Sequence, residues 1–284
     1  MSKRFVFAAL AAALAAASLA GCVVTPAYTA APAAPPPLAD ESVTEEATYP
    51  PPPLPDYDQP PAPEPGYIWN PGMWQWGAAG YYWVPGTWVA PPAVGMLWTP
   101  GYWAVAGGVY QYHLGHWGTH VGYYGGVNYG HGYFGDGYVG GRWNRGHFEY
   151  NTAVSNVNVT TVHNTYVDNT VVRNTTINNT TVNNTTVNNM RASWAGAPSN
   201  PVRQPTRIEG TAAGEPHYAL TQPQVAHRTA AATLPAQVAV HNEGHPPVAA
   251  TPRPSAFQHP QATAAKPGPA WHPSAPQGGH EEHH

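Results

Sequence analysis

The sequence has little charge, a single cysteine and no apolar run long enough to cross a bilayer. Only 9% of its 284 residues are charged, against about 25% in an ordinary soluble domain. Cys22 has no second cysteine with which to form a disulfide. The apolar run from Phe5 to Leu19 is shorter than the roughly 20 residues of a transmembrane helix. A disulfide-stapled domain and a helical membrane span are therefore not predicted.

Recognisable catalytic motifs are also missing. The sequence holds neither a Gly-x-Ser-x-Gly elbow nor a His-Glu-x-x-His pair. The two acids of the aromatic segment described below, Asp136 and Glu149, each lie near an arginine, Arg142 or Arg145, so surface ion pairs account for them. We predict that the protein is not an enzyme and needs no cofactor.

Histidine is plentiful, with 15 residues, but its spacing does not predict a metal centre. His113, His116 and His120 lie close together, yet positions 113 and 116 of a strand point to opposite faces. No cysteine or local carboxylate completes a tetrahedral site. The tail, residues 280–284, is expected to bind metals only weakly, so no dedicated site is predicted.

The N-terminus has the layout of a secretory signal. Lys3 and Arg4 precede the apolar run, which ends in Leu19, Ala20, Gly21 and Cys22. This tetrapeptide resembles the lipobox of bacterial lipoproteins, which implies removal of residues 1–21 and lipidation of Cys22. In this class of lipoproteins an aspartate after the cysteine signals retention in the inner membrane. Val23 and Val24 follow Cys22 here, so we expect a lipid anchor in the outer membrane, facing the periplasm or the cell surface. After removal of the signal, nine basic residues face 15 acidic ones, which disfavours a nucleic-acid partner.

Composition divides the rest of the chain into four segments. Residues 22–65 are rich in proline and acid and are predicted to form an extended tether. Residues 66–150 contain 23 of the aromatic residues. Residues 151–190 carry Thr-x-Val/Ile-x-Asn pentapeptides, for which disorder or extended pairing is favoured over a β-solenoid. Residues 191–284 lack an apolar period and are predicted to be disordered.

The aromatic segment contains an internal repeat. Trp-x-Pro-Gly-x-Trp occurs three times and a degenerate copy follows, with Gly72, Gly86, Gly101 and Gly115 spaced by 14, 15 and 14 residues. Because Pro-Gly favours a type II turn, each copy predicts a hairpin in which the flanking tryptophans face each other. Type II turns fit strand twist less well than the primed types, so a longer loop around Pro-Gly is equally possible. The site residues of this interpretation are Trp69, Trp74, Trp83, Trp88, Trp98, Trp103 and Trp117, with turns at Pro71-Gly72, Pro85-Gly86 and Pro100-Gly101.

A single hairpin is marginal in water, so several are expected to lie edge to edge. The predicted fold class is mainly β: a small aromatic- and glycine-rich antiparallel hairpin or meander segment between long disordered regions. The repeats, the block from His120 to Gly130, the Asn/Thr/Val tract and the tail segment from Gly244 to Thr251 together resemble the YXWGXW (WXXGXW) repeat proteins of Gram-negative bacteria. That resemblance implies this organisation and no particular activity.

Two functional hypotheses remain open. In the first, the aromatic side chains bury one another, and the protein has a structural or protein-interaction role at the cell envelope. In the second, some tryptophan and tyrosine rings stay exposed and bind envelope glycans or exopolysaccharide. Because so small a segment can hardly bury 23 rings, and exposed apolar patches usually mark interaction sites, the sequence predicts contact with envelope proteins or polysaccharide.

Overall fold

The computed structural model describes residues 43–170 and 191–273. Most of its regular elements are short strands, which confirms the predicted mainly β class. The strands are β1 Val43–Ala47, β2 Ile68–Asn70, β3 Met73–Gly77, β4 Gly80–Val84, β5 Gly86–Val89, β6 Leu97–Thr99, β7 Tyr102–Ala106, β8 Val109–His113, β9 His116–Gly118, β10 Asn128–Gly130, β11 Tyr133–Phe134, β12 Gly141–Asn144, β13 His147–Asn151, β14 Thr165–Tyr166, β15 Trp194–Ala195 and β16 Ala250–Thr251. The helices are α1 Arg207–Ala212, α2 Gln222–Ala232 and α3 Ala239–Asn242, with a 3-10 turn at Pro235–Gln237.

The strands form several small sheets and not one continuous meander. Their orders are β1-β8-β7-β15, β16-β5-β2 and β12-β13-β14, with the pairs β3-β4, β6-β9 and β10-β11. Pairing within the repeats is antiparallel, as predicted. Three strands from later in the chain, β14, β15 and β16, are added in parallel. The large buried side chains are mostly Trp and Tyr, so the core is aromatic.

The repeats form two long hairpins, not one hairpin per Pro-Gly. In the first repeat hairpin, residues 68–89, Trp69 lies opposite Trp88 and Trp74 opposite Trp83. Both pairs fit one antiparallel register. Trp74 lies five residues after Trp69 on one strand, and Trp83 lies five residues before Trp88 on the other. In the second repeat hairpin, residues 97–118, Trp98 faces Trp117 and Trp103 faces Tyr112. The predicted pairs Trp69–Trp74, Trp83–Trp88 and Trp98–Trp103 are therefore wrong.

The hairpin turns lie away from the Pro-Gly dipeptides. The first repeat hairpin turns at residues 78–79, next to Gly80 with φ +90°, and the second at Gly107 and Gly108 with φ +60° and +84°. The second turn therefore has positive φ at both central residues, which is the type I′ geometry that matches strand twist. Gly72, Gly86 and Gly101 do not have positive φ, so the predicted type II turns at Pro71-Gly72, Pro85-Gly86 and Pro100-Gly101 are wrong. These dipeptides interrupt both hairpins midway, because proline has no N–H to donate to the ladder.

The proline-rich segment packs on the aromatic core wherever it is described. Strand β1 pairs with β8, and Leu54 and Tyr57 are buried. The indole N–H groups of Trp74 and Trp88 donate to the carbonyls of Pro53 (3.1 Å) and Pro60 (2.8 Å). Proline cannot donate a backbone hydrogen bond, but its carbonyl accepts one. The prediction of a free tether is therefore wrong for residues 43–65.

Residues 191–273 also differ from the disordered region that composition predicted. Three helices form there, and α1 and α2 begin with capping boxes at Thr206 and Thr221. Strand β16 pairs with β5, and Trp117 exchanges two backbone hydrogen bonds with Tyr218. The sequence shows no apolar period here because buried polar side chains such as Gln224 and His227 share the interface with small apolar ones such as Ala231 and Ala250.

Several predictions concern residues outside the described ranges. The signal peptide, the lipobox and Cys22 lie there, as do residues 171–190 of the pentapeptide segment and residues 280–284. Within residues 43–170 and 191–273, no helix has the length and apolarity needed to cross a membrane.

Candidate functional site: the paired aromatic repeats

Four cross-strand aromatic pairs form the centre of the repeat region. The ring centroids of Trp69 and Trp88 are 5.3 Å apart with an interplanar angle of 63°. The corresponding values are 5.0 Å and 67° for Trp74–Trp83, 5.3 Å and 59° for Trp98–Trp117, and 5.3 Å and 51° for Trp103–Tyr112. Each such pair contributes about 0.5–1.5 kcal/mol beyond burial. The repetition of one geometry four times explains the spacing of the aromatic residues.

The repeat glycines allow these rings to cover the opposite strand. A Cβ on Gly86 would lie 2.5 Å from Cζ2 of Trp69, and one on Gly72 would lie 2.8 Å from the Gly86 nitrogen. In the second repeat hairpin, a Cβ on Gly115 would lie 2.6 Å from Cζ2 of Trp98 and 2.7 Å from the Gly101 nitrogen. The glycines are therefore needed for close approach of the two strands, and not for a left-handed backbone.

Most indole N–H groups of the repeats are satisfied by groups outside their own strand pair. Trp83 donates to the carbonyl of Ala249 (3.0 Å), Trp103 to that of Trp74 (2.9 Å), and Trp117 to Oε1 of Gln224 (2.8 Å). Because a buried indole needs an acceptor, the Trp83 and Trp117 bonds fix the C-terminal segment on the repeats, and the Trp103 bond joins the two repeat hairpins. The first tryptophan of each hairpin, Trp69 or Trp98, has no such partner within the described residues.

All seven predicted site tryptophans are core residues. Their exposure is at most 2%, so none presents a flat face to a sugar, and the glycan hypothesis is wrong for these positions. In the described parts of the chain, every aromatic side chain is buried or half-buried. The large hydrophobic side chains exposed there are aliphatic: Val94, Val105, Val159, Val167, Val202, Ile208, Val225 and Val240.

Three histidines, the buried His116 and His227 and the half-buried His131, are held neutral by the fold. Burial lowers the pKa of His131 and His227 to about 4 and that of His116 to about 3. Ser255 donates its N–H to Nδ1 of His227 (2.8 Å), so Nε2 carries the proton and donates to the carbonyl of Pro85 (2.9 Å). A neutral imidazole thus connects the first repeat hairpin to the C-terminal segment.

The candidate metal ligands are not brought together. His113 stacks on Tyr102, His116 stacks on His217, and His120 contacts Glu215 at 2.8 Å. Over residues 43–170 and 191–273, no three His, Cys, Asp or Glu side chains are grouped as a metal would require.

The predicted surface ion pair is present between Arg142 and Glu149, at 3.0 Å. Asn144 donates a second hydrogen bond to the same carboxylate (2.7 Å). The Asn144 bond and then Arg142 lower the pKa of Glu149.

Sequence reasoning missed the residues that join the flanks to the repeats. Glu45 accepts the backbone N–H of Trp76 (2.8 Å) and forms an ion pair with Arg228. Tyr57 is buried and accepts the N–H of Gly72 (3.1 Å). Isolated charges and a lone tyrosine in proline-rich sequence carry no local pattern. The available signals were the capping boxes Thr206-x-x-Glu209 and Thr221-x-x-Gln224, which mark the starts of α1 and α2.

These features define a repeat protein whose unit is a long hairpin with two cross-strand aromatic pairs. Comparison with protein families agrees: the model described as the WXXGXW repeat matches two copies, at residues 65–89 and 94–117. Each match covers one repeat hairpin, so the chain carries WXXGXW repeats. No curated protein matches the chain, and no solved structure does.

Proposed function

We propose that the protein is a lipid-anchored component of the cell envelope, held in the outer membrane through Cys22, with a structural or protein-interaction role. The observation that carries the proposed structural role is the burial of all seven repeat tryptophans, six in three Trp–Trp pairs and Trp103 against Tyr112. A motif whose tryptophan rings all lie in its own core builds a rigid body and leaves none of these seven rings exposed for a ligand.

The remainder of the described chain supports the same role. The glutamates Glu45, Glu149 and Glu209 are paired with arginines, and His227 has both ring nitrogens hydrogen-bonded. These groups are therefore engaged in holding the fold together. The Leu-Ala-Gly-Cys sequence supplies the support for the anchor.

Complementation of a deletion strain tests the anchor and the fold together. We expect the deletion to increase sensitivity to detergents, and the wild-type gene to restore resistance. Cys22→Ser removes the thiol that is acylated, and Gly86→Ala disrupts the first repeat hairpin, so neither variant should restore it. Gly210→Ala, a glycine with open space around it, is the matched control and should complement. Rescue by Cys22→Ser, or its labelling with radioactive palmitate, would refute the anchor.

Crosslinking in intact cells tests the interaction role. The native lipoprotein should give discrete adducts with envelope proteins or with itself, identified by mass spectrometry. Glycan binding by the repeats makes a different prediction, namely quenching of tryptophan emission by peptidoglycan. Because the repeat tryptophans are buried, we expect no quenching. A saturable decrease in tryptophan emission with added peptidoglycan would instead support the glycan hypothesis.

A further inference from the structure

A groove lies between the proline-rich segment and the turn that follows β15. Pro51 and Pro53 line one side of it, and Ser193, Trp194 and Pro198 line the other. Most of these side chains are apolar, and the cavity volume is about 260 Å³. That volume is just below the roughly 300–1,000 Å³ of pockets for drug-sized ligands. This Trp194 groove therefore has room for a few residues of an extended peptide.

Both sides of the Trp194 groove are held in place by the fold. The ring centroids of Trp194 and Tyr110 are 5.1 Å apart with an interplanar angle of 89°, and the backbone of Trp194 pairs with Trp103 on β7. The Ser193 hydroxyl donates to the carbonyl of Pro52 (2.5 Å), which joins the two sides. Because the groove is already ordered, little conformational entropy is lost on its side when a ligand binds.

The indole N–H of Trp194 is an unused hydrogen-bond donor. Trp194 is half-buried, and its Nε1 has no acceptor within residues 43–170 and 191–273. The Nε1 atoms of Trp69 and Trp98 are sealed from solvent, whereas that of Trp194 stays accessible. Because an indole nitrogen can only donate, the groove favours a ligand that presents an acceptor oxygen beside an apolar surface.

A proline-rich peptide has this combination. Its pyrrolidine rings are apolar, its carbonyls make no internal hydrogen bonds, and the polyproline II conformation is extended before binding. Aromatic-lined grooves bind such segments for these reasons. The protein already makes the same bond twice, since the Nε1 atoms of Trp74 and Trp88 donate to the carbonyls of Pro53 (3.1 Å) and Pro60 (2.8 Å). The chemistry of the Trp194 groove thus favours a proline-rich ligand.

A proline-rich segment of the same chain lies within reach of the Trp194 groove. Glu45, Tyr112, Trp103 and Trp194 lie opposite one another in a row across β1, β8, β7 and β15. Three strand spacings of about 4.8 Å place β1 roughly 14 Å from β15. Residues 34–37, Ala-Pro-Pro-Pro, end six residues before β1, and six extended residues span up to about 20 Å. A short tether also gives an effective concentration in the millimolar range, which a separate molecule lacks.

We propose that the Trp194 groove binds residues 34–37 of the same chain, with a proline carbonyl accepting the indole N–H of Trp194. Residues 34–37 precede the described part of the chain, so the contact extends the packing of the proline-rich segment beyond β1. The proposal is independent of the cellular role proposed above, since it needs no lipid on Cys22.

Hydrogen exchange of the indole N–H groups tests the contact. It is measured by nuclear magnetic resonance on the full-length chain in detergent micelles, with ¹⁵N-labelled tryptophan and with Trp194→Phe for assignment. We expect Pro36→Gly combined with Pro37→Gly to empty the groove. The Trp194 N–H should then exchange roughly two- to tenfold faster, which corresponds to the loss of one hydrogen bond of ordinary net strength. The same exchange rate in the wild type and in this double variant would overturn the proposal.

A second double variant is the matched control. Pro267→Gly combined with Pro269→Gly changes two exposed prolines and should leave the exchange of Trp194 as slow as in the wild type. The Trp88 N–H, which is bonded within the described fold, should be unaffected in both double variants and so shows that the fold is intact. Equal acceleration of Trp194 in the two double variants would contradict a specific contact with residues 34–37.

Adding the segment back decides which molecule supplies it. In the variant with Pro36→Gly and Pro37→Gly, a millimolar concentration of the synthetic peptide Ala-Pro-Ala-Ala-Pro-Pro-Pro, residues 31–37, should restore slow exchange at Trp194. The same peptide with glycine at every proline should not, and equal behaviour of the two peptides would contradict recognition of proline. Unlabelled wild-type chain mixed with the labelled variant should leave the exchange fast, because its segment occupies its own groove. Slow exchange in that mixture would instead assign the segment to a second copy of the chain and overturn the proposal.

Discussion

At the scale of single residues, the repeat glycines carry the strictest requirement. Gly86 sits beneath the ring of Trp69, and the two strands approach each other at Gly72 and Gly86. No neighbouring atom there is the end of a flexible chain, since the contacts are an indole ring and a backbone nitrogen. Any side chain at these positions must push the strands or the ring apart.

We therefore expect Gly86→Ala to destabilise the protein by about 1–3 kcal/mol, the usual range for overpacking a core. Gly210→Ala is the matched control, because a Cβ there meets no atom within 4 Å. That change replaces a helix-interior glycine and should stabilise by about 0.5–1 kcal/mol. Urea unfolding measures both, and equal effects would contradict the packing argument.

The three neutral histidines predict a loss of stability in mild acid. The pKa of His131 and His227 is about 4 in the folded protein and that of His116 about 3, against about 6.5 in an unfolded chain. Below pH 6.5 the unfolded state binds more protons, so stability is full above that pH and falls as the pH drops towards 4.

Thermal unfolding at pH 7.5 and pH 5.0 measures this loss. The Tm should be lower at pH 5.0, where Glu209, whose pKa is held below its usual range by Arg203 despite burial, is still ionised. His227→Gln removes one titrating group, so its Tm should differ less between the two pH values. The same Tm at both pH values in the wild type would show that these histidines are accessible to protons.

At the scale of elements, the sequence predicted which residues pair aromatically but not their order. Local reasoning placed Trp69 against Trp74, whereas the structure places it against Trp88. Both arrangements put a tryptophan opposite a tryptophan, because the repeat has the same spacing in every copy. The choice between them depends on turn geometry. A type I′ turn requires positive φ at both central residues. Gly107 and Gly108 both have positive φ, whereas Gly101 does not.

Loop insertion tests where the turns lie. Four Gly/Ser residues inserted between Gly107 and Gly108 lengthen a true turn, which costs only about 0.6 kcal/mol per doubling of loop length. The same insertion between Pro100 and Gly101 interrupts the second repeat hairpin and separates Trp98 from Trp103 in register, so it should abolish cooperative unfolding. The original one-hairpin-per-Pro-Gly interpretation predicts the reverse, and calorimetry of the two variants decides between them.

At the scale of the whole molecule, the flanks complete the repeat fold. Pro53, Pro60 and Ala249 accept indole hydrogen bonds from the repeats, and no periodic signal marks such acceptors because every residue has a carbonyl. This is why composition gave the β class and the repeat region correctly but interpreted the described flanks as disordered. Contacts of this kind depend on tertiary position, which local sequence does not encode.

Truncation after residue 206 should therefore lower the Tm by several degrees. It removes Gln224 and Ala249, the acceptors for Trp117 and Trp83, and should shift tryptophan emission to longer wavelength as these rings meet solvent. Truncation after residue 273 keeps every described contact and is the matched control. Equal melting of the two truncated chains would show that the C-terminal segment does not stabilise the repeats.

The parallel pairing of β16 with β5 and of β15 with β7 has a consequence for self-association. An open strand edge is a template on which a second chain can add, and such addition leads to fibrils. Here β1, β15 and β16 occupy outer edges of the repeat hairpins, and Tyr218 bonds with Trp117 on β9. We therefore expect a chain that lacks β1, β15 and β16 to lose solubility before it loses its repeat hairpins, which sedimentation of the truncated chain would measure.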